Sequence, residues 1–174
     1  WQPQQDNKTV PLERICRAFP HISKLGFSGC SKYHVPQFVS MLASNCFNHL
    51  TSIDMSENDH AAVVDDMCNA LQLSGVVSVR IRKCNLESLP VSIENLANLQ
   101  RLDISNNPNL RSLPLSIGNL TNLQHLNISN SSQLRSLSDS IGNLINLQHL
   151  NISNNQLRSL PDSIGNLTNL QHLD

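Results

Sequence analysis

Three histidines stand in the same local sequence at regular intervals, and imidazole is a side chain that binds metals and transfers protons. His125, His149 and His172 each precede a leucine, with 24 residues from the first to the second and 23 from the second to the third. Neighbouring strands would place their rings about 4.8 Å apart. No carboxylate or cysteine is placed beside them to complete a coordination shell. We therefore interpret the histidines as copies of one exposed position and predict no metal site.

The sequence contains no recognisable catalytic or nucleotide-binding motif. It has no G-x-x-x-x-G-K-[ST], G-x-G-x-x-G, H-E-x-x-H or G-x-S-x-G. The five cysteines also lack a C-x-x-C pair, so structural zinc is not indicated. We interpret four of them as small apolar core residues rather than reactive thiols or a disulfide framework. The cysteines are Cys16, Cys30, Cys46, Cys68 and Cys84. The prediction is a non-enzymatic protein without a cofactor.

The charge balance argues against two classes of partner. The 174 residues include 12 Lys and Arg against 13 Asp and Glu, a formal net charge of -1. Non-specific binding to nucleic acid or to an anionic membrane depends on a basic excess, which is missing here. No stretch approaches the roughly 18 to 20 apolar residues that span a bilayer. We predict one soluble domain that neither binds nucleic acid nor inserts into a membrane.

The same composition also bears on the cellular compartment. Six N-x-[ST] sequons occur, but a chain so rich in Asn and Ser generates them by composition. They give little support for secretion, and the unclustered cysteines favour the reducing cytoplasm over the extracellular space. The sequons begin at Asn7, Asn119, Asn127, Asn130, Asn151 and Asn166.

The elements that must position these side chains are repeats. Residues 116–139 recur as residues 140–162, with 20 of 23 aligned positions identical, and a further copy starts at Ser163. The shared pattern is L-x-x-L-x-L-x-x-N, as in Leu99, Leu102, Ile104 and Asn107. Repeats one to seven begin at residues 22, 50, 76, 99, 123, 147 and 170. Their alternating apolar positions predict short parallel strands that bury one face in a continuous core.

The ninth position of the pattern is polar and yet should turn inward. A buried asparagine there must satisfy backbone groups of the turn after the strand. Cys30, Cys84 and Ser131 replace asparagine in other repeats. Ser131 also sits where an extra residue lengthens the turn, so we expect an irregularity there.

These motifs resemble the leucine-rich repeat family over residues 22–174. The resemblance implies an α/β solenoid, a right-handed superhelix with parallel strands on its concave face. The two long repeats of residues 22–75 resemble ribonuclease-inhibitor-like repeats. The L-P-x-S-I-x-N-L repeats of residues 76–174 resemble the Ras-group type of intracellular eukaryotic proteins and bacterial effectors.

The segments that connect one strand to the next, which we call returns, are predicted to be of two kinds. Residues 36–48 and 60–71 have apolar residues at helical spacing, which predicts two helices on the convex side. From Leu86 onward Pro and Gly discourage long helices, so short helical turns are expected. Residues 1–21, with a short helix over 11–18, are interpreted as an N-terminal cap. The last repeat stops in mid-strand, which predicts a C-terminally truncated piece of a longer protein.

The concave face is the predicted binding surface, because the second, third, fifth, seventh and eighth repeat positions point to it. Charge concentrates there in the middle repeats as a patch of both signs, which suits a protein partner. A solvated network whose charges neutralise one another is the alternative. The predicted partner-binding residues are Asp54, Glu57, Arg80, Arg82, Lys83, Arg101 and Asp103.

The function predicted from the resemblance is protein–protein interaction through the concave face, with a partner that the sequence does not identify. One alternative is the substrate-recognition domain of a larger enzyme, such as a bacterial effector ubiquitin ligase. Another is an engineered or consensus-like scaffold, although the irregular first 90 residues argue against it. A secreted receptor ectodomain is less favoured, because the plant extracellular pattern has Ile-Pro and Ser-Gly where this chain has Leu-Pro.

Overall fold

The computed structural model describes most of the chain from residue 47 onward and parts of the chain before it. The described residues are 21–26, 47–57, 61–71 and 75–174, with Arg14, Ala18, Phe19, Val39, Ser40 and Leu42. The cap expected over 1–21 and the helix expected over 36–48 lie mainly outside them.

Among the described residues, seven short parallel strands form one open sheet in chain order. They are β1 Lys24–Gly26, β2 Ser52–Asp54, β3 Ser78–Arg80, β4 Arg101–Asp103, β5 His125–Asn127, β6 His149–Asn151 and β7 His172–Leu173. Every strand pairs with the next in the same register, so that Leu102 faces Leu126 and Leu126 faces Leu150. The structure confirms the α/β leucine-rich-repeat solenoid.

The centre of each strand explains why the repeats stack. Ile53, Val79, Leu102, Leu126 and Leu150 are at most 1% exposed, whereas the residues on either side face outward. The buried positions form columns that run through the repeats as one hydrophobic core. Since one strand covers the next, no single repeat has to bury its apolar face alone.

The return after β2 is helical, as predicted over 60–71. Helix α1 spans Ala61–Ala70. The residues Val64, Met67, Cys68 and Leu71 are buried at spacings of three and four, which is the inner face of an amphipathic helix.

The later returns are 3₁₀ helices, which confirms the expected short turns. They are η1 Val91–Asn95, η2 Leu115–Asn119, η3 Asp139–Asn143 and η4 Asp162–Asn166. Stacking is so close here that a Cβ on Gly118 would lie 2.7 Å from the Ser140 carbonyl oxygen. Gly142 meets Ser163 in the same way. These glycines therefore set the spacing of the repeats on the side opposite the sheet.

The inward asparagine behaves as the sequence predicted. Asn107 is fully buried, and its Nδ2 donates to the carbonyl oxygens of Ile81 and Ile104, both at 2.8 Å. Its Oδ1 accepts from the backbone N–H groups of Cys84 at 2.8 Å and Leu86 at 3.3 Å. One side chain thus satisfies four backbone groups in two repeats.

The column of inward asparagines is interrupted at Ser131, where an irregularity was expected. The Ser131 hydroxyl is buried and makes no hydrogen bond to the described residues. Asn155 in the next repeat restores the pattern, since it bonds the carbonyl oxygens of Ile128 and Ile152 and the Ser131 N–H.

Two of the five cysteines fall within the described chain, and both are buried as expected. Burial raises the pKa of the Cys68 thiol to about 12; a hydrogen bond with Ser92 opposes this and the charge of Asp65 adds to it. Cys84 occupies an inward asparagine position, with its Sγ 3.2 Å from the Met55 carbonyl oxygen. Within the described part of the chain, no helix has the length and apolar character to cross a membrane.

Candidate functional site

The outward positions of the sheet form a shallow concavity of about 250 Å³. Its walls come from β3 to β6 and from Asp174, which follows β7, so side chains more than 70 residues apart in sequence share one surface. The polar lining residues are Ser78, Arg80, Arg101, Asp103, His125, Asn127, His149, Asn151 and Asp174. Three of the seven predicted binding residues, Arg80, Arg101 and Asp103, therefore line one groove.

The other predicted residues lie at or beside the β2–β4 end of the sheet and form ion pairs. Arg82 lies between two carboxylates, with Nη2 4.0 Å from Asp54 Oδ2 and Nε 3.9 Å from Asp103 Oδ2. Lys83 Nζ lies 3.3 Å from Glu57 Oε1. The side chains of Arg82 and Lys83 remain 44% and 64% exposed, so each pair contributes at most about 1 kcal/mol. Five of the predicted residues thus belong to ion pairs in which three carboxylates face two cations.

Arg80 and Arg101 differ from those five residues. Both side chains are exposed, and neither makes an ion pair with any carboxylate of the described residues. The nearest candidates, Asp54 and Asp103, are shared by Arg82. The seven predicted residues together carry four positive and three negative charges, and Arg80 and Arg101 are the cations without an ion pair among the described residues.

The fifth repeat position has a structural role that sequence inspection missed. Oδ1 of the Asp or Asn there accepts a hydrogen bond from the backbone N–H two residues later, in Asp54, Asp103, Asn127 and Asn151, at 3.0 to 3.1 Å. This bond holds the turn after the strand. Arg80 stands at the same position in the third repeat and has no acceptor oxygen. There the N–H of Arg82 donates to Ser56 Oγ in the preceding repeat instead.

The eighth position has a second requirement, a left-handed backbone. Asn106, Asn130 and Asn154 have φ of 59°, 59° and 55°, and asparagine tolerates this conformation. Glu57 and Lys83 adopt it too, with φ of 62° and 55°, although such residues lose roughly 1 kcal/mol or more there. The recurring Asn at this position was the sequence signal for it.

The rings of the three histidines stack on one another because the repeats that carry them are in register. The ring centroids of His125 and His149 are 4.3 Å apart at an interplanar angle of 9°, and those of His149 and His172 are 4.4 Å apart at 10°. Stacking leaves His125 and His149 half-buried, which corrects the expectation of fully exposed rings. The described residues contain no group of three or more His, Cys, Asp or Glu placed to hold a metal.

The stack also has an electrostatic consequence. Partial burial lowers the pKa of His125 below its ordinary value of 6.5, and the neighbouring His149 and Arg101 lower it further. The middle of the concavity therefore resists acquiring more positive charge as the pH falls.

A further set of asparagines, which the sequence analysis did not single out, links the repeats away from the concavity. Asn122, Asn146 and Asn169 donate from Nδ2 to the carbonyl oxygens of Ala97, Thr121 and Ile145 at 2.9, 2.8 and 2.7 Å. These contacts explain the high Asn content as a requirement of stacking.

Known proteins give the same picture of the repeats. Two family profiles described as leucine-rich repeat match residues 98–120 and 121–174. No curated protein has a significant sequence match. Among solved structures, a leucine-rich-repeat protein of Leptospira interrogans superposes with a TM-score of 0.79 at 28% identity, over 100% of this chain and 41% of that one.

Two further structures are similar. The leucine-rich-repeat domain of the type III effector XopL has a TM-score of 0.72 and 26% identity, over 94% of this chain and 54% of that one. A chain of the Drosophila Toll–Spätzle complex shares the fold at a TM-score of 0.57 and 17% identity, over 95% of this chain and 28% of that one. The chain thus spans about 41% and 54% of the first two structures.

The sheet, the stacked repeats and these matches define a class, the leucine-rich-repeat solenoids. Residues 98–174 match leucine-rich-repeat profiles and the described chain has the fold of leucine-rich-repeat proteins, whose domains generally mediate protein–protein interaction.

Proposed function

We propose that this chain is a non-enzymatic module that binds a protein partner on its concave face, at the charged patch of repeats two to four. The patch consists of Asp54, Glu57, Arg80, Arg82, Lys83, Arg101 and Asp103. The third repeat carries the proposal, because its residues 80, 82 and 83 depart from what the other repeats use to build the turn.

Two of those departures, at residues 80 and 83, are unfavourable or neutral for the fold. Arg80 gives up the side-chain acceptor that holds the turn in four other repeats. Lys83 occupies a left-handed position that asparagine fills more easily. Residues kept at a cost in stability are concentrated at functional sites. Binding explains them, since Arg is over-represented among the anchors of protein interfaces and mixed charges select between partners.

The test is capture of a partner from the source lysate with charge-reversed variants. Replacing Arg80, Arg82 and Arg101 by Glu should lower capture at least tenfold, because both the anchors and the charge pattern are lost. The matched control replaces Arg111, Arg135 and Arg158 by Glu. These are also exposed arginines, they lie outside the concavity, and the net charge changes equally.

Two results would count against the proposal. Equal loss in both triple variants would mean that overall charge, not this surface, determines capture. Full capture by the first variant, with loss on replacing His125 and His149 by Ser, would move the binding surface to the C-terminal repeats.

A second candidate function is recognition on behalf of a larger protein. It is favoured by the similarity to the leucine-rich-repeat domain of a type III effector, of which this chain matches 54%. In this case the solenoid selects the target of an attached activity, as in an effector ubiquitin ligase, and works in a reducing cytoplasm. Sequencing the gene on both sides of this region tests it: an adjoining catalytic domain supports this candidate, and its absence refutes it.

A further inference from the structure

Three arginines, Arg80, Arg82 and Arg101, outnumber the two carboxylates Asp54 and Asp103 that stand opposite Arg80 on the neighbouring strands. Arg80 on β3 and Arg101 on β4 line the groove, are exposed, and form no ion pair with the described residues. Arg82 shares the nearby carboxylates of Asp54 and Asp103. This end of the groove therefore has positive groups directed at solvent, although the chain as a whole carries a net charge of -1.

The strand register fixes the spacing of the two arginines. Arg101 pairs with Ser78, and Arg80 lies two residues further along β3, so the arginines are diagonal neighbours on adjacent strands. One strand spacing of about 4.8 Å and two residue steps of about 3.3 Å place their Cα atoms roughly 8 Å apart. In an extended peptide, side chains on one face recur about every 6.6 to 7 Å. Two carboxylates separated by one residue therefore match the two arginines.

We propose, on the basis of the concave binding function above, that this groove binds an extended acidic segment of the partner with two carboxylates separated by one residue. One carboxylate binds Arg80 and the other binds Arg101. A guanidinium can grip a carboxylate through two parallel hydrogen bonds, which a flexible lysine cannot do.

The rest of the groove supports one orientation of that segment. Beyond the arginines the lining becomes neutral, with the amides of Asn127 and Asn151 and the stacked imidazoles. Oδ1 of each asparagine is occupied by the turn, so Nδ2 is the group that can donate to a peptide carbonyl. Asp174 lies at the far end on the β7 side, three strands from Arg101, about 14 Å away. It would repel a carboxylate there, so the acidic residues lie over β3 and β4.

Fluorescence anisotropy with labelled peptides of equal length tests both charge and spacing. The peptides are GSESESG, in which one residue separates the glutamates; GESSSEG, the same composition with three residues between them; and the neutral GSQSQSG. At low ionic strength GSESESG should bind at least fivefold more tightly than either of the others. About 0.5 M NaCl should remove most of the difference, since exposed charges are screened.

Matched single substitutions assign the effect to the two arginines. Arg80→Gln and Arg101→Gln should each weaken GSESESG binding roughly fivefold, which is the size expected of one accessible charged contact. Arg111→Gln outside the groove should leave it unchanged. Circular dichroism and the unfolding midpoint should match those of the unaltered protein, because neither arginine makes an ion pair with the described residues.

The inference is overturned if GSESESG binds no better than GSQSQSG, if the two acidic peptides bind equally, or if Arg111→Gln weakens binding as much as Arg80→Gln. Partner capture separates this failure from failure of the proposed function. If the concave triple variant loses the partner while the acidic peptide shows no preference, the binding surface is right and the ligand chemistry is wrong.

Discussion

Repeats two and three differ from repeats five and six in their side chains, although both regions have the same backbone. In each region one strand residue is buried, the next repeat pairs in register, and the eighth residue is left-handed. Repeats five and six present nearly identical Gln, His, Asn and Ser side chains, whereas repeats two and three present Asp54, Glu57, Arg80, Arg82 and Lys83. The nearly identical repeats five and six show which side chains the fold requires. The side chains found only in repeats two and three are therefore not required by the fold.

The shared core gives the largest expected effect, and it should be equal in both regions. Ile53 and Leu126 are 0% and 1% exposed at equivalent positions. Ile53→Ala and Leu126→Ala should each lower the free energy of unfolding by about 2 to 5 kcal/mol, because each leaves a cavity in the core. Urea unfolding measures this. His125→Ala on the outer face should stay within about 0.5 kcal/mol. Similar losses at 125 and 126 would mean that the strand faces are assigned the wrong way round.

This core was predictable from sequence because it depends on local periodicity. The alternation of Leu102 and Ile104 determines which side of a strand is buried, and the amide of Asn107 needs partners once it is inside. The ion pairs of Arg82 were not predictable, since they depend on side-chain conformations across three strands. The left-handed conformation at Lys83 was also missed, because in that repeat a lysine replaces the asparagine that signals it.

Removing the inward asparagine tests the next feature that both regions need. Asn107→Ala leaves the N–H of Cys84 and the carbonyl oxygen of Ile81 buried in the core without this hydrogen-bond partner. Each buried unsatisfied group costs about 1 to 3 kcal/mol, so a loss of at least about 2 kcal/mol is expected in urea unfolding. The control is Asn109→Ala at an exposed position of the same repeat, which should cost less. A loss below that of the control would show that water replaces the amide.

The eighth position directly tests the difference between the regions. Lys83→Asn should raise the free energy of unfolding by about 0.5 to 1 kcal/mol, because asparagine relieves the left-handed strain while only an exposed ion pair is lost. The reciprocal Asn130→Lys should lower it by a similar amount, so the two variants form a matched pair measured by thermal unfolding. If Lys83→Asn destabilises the protein, the charged residue serves the fold and the comparison no longer identifies a binding surface.

The smallest expected effect is a pH dependence of stability caused by the histidine stack. This stack lies in the C-terminal repeats and not in the charged patch. The pKa of His125 is lowered in the folded state, by partial burial first and then by the positive charges of His149 and Arg101. The unfolded chain therefore binds a proton more readily than the folded one, so stability rises with pH across this titration. The contribution of His125 to stability is complete above its ordinary pKa of 6.5 and is lost as the pH falls from there toward the lowered value.

We expect the thermal midpoint of the unaltered protein to fall more between about pH 7 and pH 5 than that of His125→Asn, which keeps a polar side chain but removes the titration. A second variant, Arg101→Gln, should reduce the same fall by removing one of the neighbouring charges. If His125→Asn shows the same pH dependence as the unaltered protein, acid destabilisation arises from other groups and the titration of His125 does not affect stability.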